Sequence, residues 1–240
     1  MSADHEPCSP AELIERFHRD GGTSKHLLLL YSLAIGLRAK TIVELGLGLS
    51  TGALRTAALE TGGIVHTYDQ DRRRYGSLLA QQDGNWRLTL ETTAKVLPDA
   101  PAPIDLVLHD GAHDYVNVKR DLDTLLPKMR RFGIVCIHDT QQPDLYRDML
   151  AAIADASAGR SVSVTNLPFN CGLAILRVEE SDYPAISPTA DRLIDGRCDT
   201  QPVPFILGSG EQPRASLWSR TLLPAKIRVG HFLRQRGLRR

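Results

Sequence analysis

The sequence predicts an α/β protein with a doubly wound, mostly parallel sheet of seven strands. Short apolar runs alternate with segments of helical periodicity through most of the chain. A glycine-punctuated turn follows the first apolar run, where an open α/β sheet places a ligand. The last two apolar runs have no helix between them, so we expect them to form an antiparallel hairpin at one edge of the sheet.

The individual elements are predicted from apolar runs and from the turn residues between them. The expected strands cover residues 41–45, 64–68, 86–90, 104–109, 133–138, 161–165 and 172–178. The expected helices cover residues 10–19, 24–37, 50–60, 71–82, 143–157 and a segment that begins at residue 114. The strand at 104–109 is apolar enough to be central in a parallel sheet.

The composition is that of a soluble globular protein. The chain has 240 residues, 42% of them hydrophobic and 24% charged. We divide it into a domain at 1–180, which includes the N-terminal helices, and a Pro/Gly-rich extension at 181–240 that ends in a basic helix. The longest apolar segment is too short to span a bilayer, and no secretory signal is visible. Four scattered cysteines without metal-site spacing favour reduced thiols and a cytoplasmic location.

The charge is unevenly distributed. From Gln212 to the C terminus there are eight Lys/Arg and no acidic residue, which leaves 21 basic and 28 acidic residues in 1–211. A basic tail can bind nucleic acid, an anionic membrane surface or an acidic partner, and it can also cover an active site or build a homodimer. A solvated or packed terminal extension is the simpler alternative.

The turn after the first strand is glycine-rich. Gly46 and Gly48 let the backbone pass close beneath a ligand, and the following helix offers unpaired N–H groups to it. The next glycine, Gly52, stands four residues after the second, so the dinucleotide spacing G-x-G-x-x-G is not met. An ordinary tight strand-to-helix turn is the alternative to a cofactor site.

The pattern E-x-G-x-G-x-S-T at residues 44–51 resembles motif I of the class I S-adenosylmethionine (SAM) methyltransferases. The antiparallel last hairpin also fits the fold of that family. The resemblance implies SAM as the cofactor and a set of residues around the turn that bind it, namely Glu44, Gly46, Gly48, Ser50 and Thr51.

Three further residues are candidates for the same cofactor. Asp69 ends the second strand, where a carboxylate can accept both hydroxyls of a ribose and would repel a 2′-phosphate. Its alternative role is to cap the next helix, although Asp71 already suits that position. Thr92 and Thr93 follow the third strand, at the level where the resemblance places the adenine.

A second motif spans residues 104–140 and ends the fourth and fifth strands with polar side chains. Asp110 and His113 follow the fourth strand, and His138 and Asp139 follow the fifth. Because both strand ends lie at the carboxyl edge of the sheet, we expect these side chains to converge beside the glycine turn. Two carboxylates and an imidazole can bind Mg²⁺, Mn²⁺ or a related divalent ion. The alternatives are that His113 bonds the start of a helix and that Asp139 contacts a ligand without a metal.

The sequence D-G-x-H-x-Y at residues 110–115 resembles a bacterial methyltransferase family related to catechol O-methyltransferases and macrolide-sugar O-methyltransferases. The resemblance covers about residues 20–178. It implies a divalent metal held by Asp110, His138 and Asp139, with Asp110 also beside the cofactor, and His113 as the general base. Relatives with an established metal commonly have an acid where this chain has His138, so the resemblance implies a softer ligand set here.

These observations predict a SAM-dependent O-methyltransferase whose partner is a hydroxylated small molecule, a sugar or a natural product. One alternative is an RNA-modifying methyltransferase that uses the basic tail. Against it, only the tail is basic, aromatic residues make up 5% of the chain, and no RNA-binding module is evident. The other alternative is a nucleotide-binding protein, dehydrogenase-like or otherwise, that transfers no methyl group.

Overall fold

A computed structural model gives the structure of residues 5–185. Its seven strands form one sheet: β1 (Thr41–Leu45), β2 (Ile64–Asp69), β3 (Trp86–Leu90), β4 (Ile104–His109), β5 (Met129–His138), β6 (Val162–Leu167) and β7 (Leu173–Val178). The order across the sheet is β3-β2-β1-β4-β5-β7-β6. Strands β1 to β5 are parallel to one another, and β7 is antiparallel to both β5 and β6. The predicted sheet and its antiparallel edge hairpin are confirmed.

The described residues contain seven α-helices: α1 (Pro10–Arg19), α2 (Leu27–Leu37), α3 (Leu49–Thr61), α4 (Arg72–Tyr75), α5 (Thr93–Val96), α6 (Tyr115–Leu125) and α7 (Tyr146–Ser157). The helix predicted at 71–82 is a single α-turn continued by a 3-10 segment at Gly76–Gln81. The start of the helix predicted at 24–37 is likewise a 3-10 turn. Sequence reasoning did not predict the one-turn α5.

Local sequence explains where several helices begin and end. Ser9 starts α1 with a capping box, because its hydroxyl accepts from the Glu12 amide while the Glu12 carboxylate accepts from the Ser9 amide. Asp71 caps α4, as predicted, by accepting from the Arg74 amide at 3.0 Å. Gly62 ends α3 in the left-handed conformation, at φ +64°.

The sheet is covered by apolar side chains on both faces. One face packs against α2 and α3, and the other packs against α6 and α7. All six residues of β4 are buried, as expected for a central strand. This arrangement brings the carboxyl ends of β1, β2, β4 and β5 to one edge of the sheet.

Strand β5 begins four residues before the predicted start at residue 133. Met129 already pairs with Ile104, and the register then shifts before Leu106 pairs with Ile134. Phe132 takes a positive φ of 64° at this irregularity. Gly133 is therefore a residue inside the strand, where an added Cβ would lie 2.8 Å from the carbonyl oxygen of Arg130.

Among residues 5–185, no helix has the length and apolar character needed to cross a bilayer. Most of the predicted 181–240 extension, including its basic helix, lies outside the described residues. The division into these two segments stays a prediction.

Candidate functional site

A cavity of about 590 Å³ opens at the carboxyl ends of the first four strands. This volume is in the range of sites that bind small molecules and cofactors. Five of the predicted cofactor residues line it: Gly46, Asp69, Thr92, Thr93 and Asp110. Sequence reasoning missed other polar lining residues that follow the same strands or lie on α6, among them Gln70, Glu91, Asn117 and Arg120.

The turn after β1 lies directly against the turn after β4. Gly46 has φ +94°, and a Cβ added to it would overlap the carbonyl oxygen of Asp110 and lie 2.9 Å from its carbonyl carbon. The amide of Asp110 in turn donates to the Leu45 carbonyl at 2.8 Å. Only glycine fits at position 46, because both the backbone conformation and the contact exclude a side chain.

Glu44 lies beneath this turn, fully buried. Its Oε1 accepts from Ser50 Oγ at 2.7 Å, and its Oε2 accepts from the hydroxyls of Thr51 and Thr67 at 2.8 Å each. Burial raises the pKa of Glu44 to about 7, although these three hydroxyls oppose the shift. The Glu44 carboxylate thus accepts from both Ser50 and Thr51 and holds the start of α3 against β1. Their direct contact with a cofactor, like that of Gly48, stays a prediction.

Asp69 faces the cavity and also accepts hydrogen bonds from main-chain amides at the edge of the cavity. Its Oδ2 accepts from the Leu47 amide at 2.9 Å, and its Oδ1 accepts from the Asp71 amide at 2.7 Å. The hydroxyl of Tyr75 donates to the Leu47 carbonyl at 3.0 Å. These bonds fix the orientation of the carboxylate, and each of its oxygens keeps a lone pair for a further donor.

Beside the cavity, the ends of β4 and β5 bring together Asp110, His113, His138 and Asp139, which we call the acid–imidazole centre. The Nδ1 atom of His138 lies 3.1 Å from a carboxylate oxygen of Asp110 and 3.1 Å from one of Asp139. The Nε2 atom of His113 lies 3.7 Å from Asp110 and 3.6 Å from Asp139. The predicted convergence of these four side chains is therefore present in the structure.

Electrostatics couple the members of this centre. Burial alone would raise the pKa of Asp110, but the imidazoles of His113 and His138 outweigh it and lower that pKa to about 2. Burial also lowers the pKa of His138, but the carboxylates of Asp110 and Asp139 reverse the direction and raise it. Asp110 is therefore a carboxylate at neutral pH, ready to accept hydrogen bonds or to bind a cation.

Two residues that sequence reasoning did not connect to the site lie against His138. The Sγ atom of Cys171 is 3.1 Å from His138 Nε2, and the ring of His26 is 5.0 Å from the His138 ring, centroid to centroid. In the sequence Cys171 is one of four scattered cysteines, and His26 lies at the start of α2, far from residue 138. No short spacing in the sequence relates either residue to His138.

A comparison with family models finds a match at residues 43–140, to the family described as a methyltransferase domain. The matched segment contains the glycine turn and the whole acid–imidazole centre, and it covers less than half of the chain. The segment is similar to methyltransferase domains. The curated protein y4gI of Sinorhizobium fredii (strain NBRC 101917 / NGR234) is 29% identical over 126 residues, 52% of this chain. The matched region is 14% of y4gI, so this chain spans a small part of that relative.

Solved structures share the architecture. Cofactor-bound Rv0187 from MTB has a TM-score of 0.56 and 17% identity, covering 71% of this chain and 89% of that one. The O-methyltransferase from Bacillus cereus in complex with SAH also has a TM-score of 0.56 and 17% identity, covering 72% of this chain and 92% of that one. At these identities the likeness establishes the fold, which is a Rossmann-like methyltransferase fold.

Proposed function

We propose that this protein is a SAM-dependent O-methyltransferase that acts on a hydroxyl group of a small molecule, a sugar or a natural product. The observation that carries the proposal is the position of Asp110. This residue lines the 590 Å³ cavity and also belongs to the acid–imidazole centre. A cofactor in the cavity and a polar acceptor at the centre would therefore be direct neighbours.

The cavity has the features that SAM requires. The Asp69 carboxylate can accept from the ribose hydroxyls, and Gly46 gives the backbone close access beneath the amino acid and sulfonium part of the cofactor. Thr92 and Thr93 line the part of the cavity beyond β3, where the adenine would lie. The matched methyltransferase-domain segment and the SAH-bound solved structure support this choice of cofactor.

Methyl transfer needs an acceptor oxygen that approaches the methyl carbon opposite the sulfur. The acceptor O–H loses its proton, the oxygen forms a bond to the methyl carbon, and the carbon–sulfur bond breaks to leave S-adenosylhomocysteine. His113 Nε2 is buried and has no hydrogen-bond partner within the described residues, so it is open to accept that proton. General-base assistance of this kind contributes about 10²–10⁴-fold to the rate.

A divalent metal also fits this centre. Asp110, His138 and Asp139 each offer one donor atom, and these atoms lie within 4.8 Å of one another. When bound there, a metal ion would lower the pKa of a coordinated acceptor hydroxyl. Asp110 and Asp139 can also orient the acceptor by accepting hydrogen bonds from its hydroxyls, independently of an ion.

The cofactor is tested first, by calorimetry of the full chain with SAM, S-adenosylhomocysteine and NAD measured in parallel. We expect both sulfur nucleotides to bind and NAD to bind much more weakly. Binding of NAD with no binding of either sulfur nucleotide would overturn the proposal.

The acceptor is tested by a methyl-transfer screen with radiolabelled SAM against hydroxylated sugars and phenolic compounds, with and without chelator. A short RNA panel in the same assay serves as the competing substrate class. We expect label in a hydroxylated small molecule. Label confined to RNA would contradict the proposed acceptor class. In that case the protein should also bind RNA, with an affinity that falls steeply as the salt concentration rises.

A further inference from the structure

We propose that His26, His138 and Cys171 form a binding site for a thiophilic divalent cation such as Zn²⁺. One donor atom from each side chain lies within 4.8 Å of the other two. Two imidazoles and a thiolate are a ligand set that Zn²⁺ favours over Mg²⁺, which prefers oxygen. This site uses the ring nitrogen of His138 that faces away from Asp110 and Asp139.

The two ring nitrogens of His138 have different surroundings. Its Nδ1 is 3.1 Å from carboxylate oxygens of both Asp110 and Asp139, and its Nε2 is 3.1 Å from the Sγ of Cys171. Histidines that bind metals commonly donate their second ring N–H to a carboxylate, which fixes the tautomer and the ring orientation. With the proton on Nδ1, the lone pair of Nε2 is directed toward Cys171 and is free to bind a metal.

The buried ring of His26 lies beside His138 and also points to a bound ligand. Its side chain is fully buried, and neither ring nitrogen has a hydrogen-bond partner within residues 5–185. Leaving a buried polar atom without a partner destabilises the folded state, whereas a bound ion would satisfy it. The ring packs edge-on against His138, with centroids 5.0 Å apart. One of its nitrogens lies within 4.8 Å of the donor atoms of His138 and Cys171, where it can bind the same ion.

The backbone around Cys171 fixes the position of the thiol. The Cys171 carbonyl accepts from the Gln141 amide at 2.8 Å, which ties the turn between β6 and β7 to the end of β5. The Asn170 side chain donates to the Gly22 carbonyl at 2.6 Å, which ties the same turn to the segment before α2. These two bonds bring Cys171 between the elements that carry His138 and His26. Cys171 is a partly exposed residue, which gives an ion a route to the site.

Three protein donors leave one tetrahedral position of Zn²⁺ for water or for another ligand, as in sites that bind an exchangeable molecule. The site shares His138 with the oxygen-rich metal site considered above. An ion on Nε2 leaves the Nδ1 proton shared between the two carboxylates, so His138 cannot serve both sites in one tautomer. Ion binding at these three side chains is independent of methyl transfer.

The test uses metal-free, tag-free full-length protein, with Co²⁺ as a spectroscopic probe and Zn²⁺ as a competitor. We expect one equivalent of Co²⁺ to give a thiolate-to-cobalt charge-transfer band, which Zn²⁺ removes by displacement. Cys171→Ser should abolish the band and weaken Zn²⁺ binding at least about tenfold, and His26→Gln should weaken it similarly. Cys8→Ser, at a buried thiol outside the site, is the matched control and should behave like the unmodified protein.

A second measurement needs no variant. Zn²⁺ should slow alkylation of Cys171 in the unmodified protein, as located by peptide mass spectrometry, and Mg²⁺ at the same concentration should not. The proposal is overturned if Zn²⁺ leaves that alkylation rate unchanged. It is also overturned if Cys171→Ser keeps full Zn²⁺ affinity while Asp139→Asn loses it, because the ion would then be bound by the carboxylates.

Discussion

The carboxylate of Asp69 accepts a hydrogen bond from the main-chain amide of Leu47 at 2.9 Å. The end of β2 is thereby tied to the turn that follows β1, and both form one wall of the cavity. The side chain expected to hold the ribose therefore also sets the position of the turn. A substitution at this residue should affect both the rim of the cavity and the affinity for the cofactor.

We expect Asp69→Asn to raise the Kd for SAM at least about tenfold, or about 1.4 kcal/mol. The amide keeps the shape of the side chain but loses the charge and one acceptor for the ribose hydroxyls. Calorimetry measures the change. Asp71→Asn, at the cap of α4, is the matched control and should leave the affinity nearly unchanged. Equal increases in the Kd for SAM in the two variants would show that Asp69 acts only by holding the local structure.

His113→Ala should lower kcat by about 10²–10⁴-fold, the usual contribution of a general base. The affinity for SAM should stay within about twofold, because His113 does not line the cofactor cavity. Steady-state kinetics on the acceptor found by the screen, together with calorimetry, separate these quantities. His18→Ala on the exposed side of α1 is the control. Full turnover in His113→Ala would remove this residue from the mechanism.

Gly46→Ala and Gly48→Ala form a matched pair in one turn. Position 46 has φ +94° and no room beside Asp110, whereas nothing lies within 4 Å of a Cβ added at Gly48. We expect Gly46→Ala to lower the free energy of unfolding by at least about 2 kcal/mol and Gly48→Ala by less than about 1 kcal/mol. Urea unfolding measures both. A reversed order would mean that the turn is not held against the end of β4.

Glu44→Gln should change how stability depends on pH. The folded-state pKa of Glu44 is raised to about 7 from an ordinary 4.5, so the folded protein binds more protons than the unfolded chain between those values. The unsubstituted protein therefore loses stability at this group as pH rises through that window. The glutamine cannot titrate. The difference in unfolding free energy between the two proteins should therefore change by up to about 3 kcal/mol between pH 4.5 and pH 7.

Urea unfolding at intervals from pH 4.5 to 7.5 checks this expectation. Asp110 titrates below the window, because its pKa is lowered to about 2, and so it does not contribute. Glu15→Gln, at an exposed carboxylate on α1, is the control. Its free energy of unfolding should differ from that of the unsubstituted protein by nearly the same amount at every pH. A constant difference between Glu44→Gln and the unsubstituted protein would show that folding does not raise the pKa of Glu44.

Sequence periodicity predicted the sheet because strand and helix patterns are local and the antiparallel ending follows from a missing helix. It could not predict the start of β5, because the irregularity near Phe132 depends on pairing with β4. The same limit applies to Glu44. Its motif indicated a cofactor contact, but its hydrogen bonds to Ser50 and Thr51 depend on how α3 packs against β1.

Some residues of the candidate site could be predicted from the sequence and others could not. Asp110, His113, His138 and Asp139 could be grouped from sequence because each follows the end of a strand that parallel topology brings to one edge. His26 and Cys171 could not, since one precedes a helix and the other lies in a hairpin turn. Their proximity to His138 depends on long-range contacts that no spacing in the sequence encodes.

The position of β7 between β5 and β6 has a consequence for synthesis of the chain. Until residues 173–178 have left the ribosome, the strand that carries His138 has one bare edge with unsatisfied main-chain groups. Exposed edges of this kind recruit other strands and promote aggregation. A product truncated before residue 173 would therefore retain the cofactor half of the sheet but be prone to self-association.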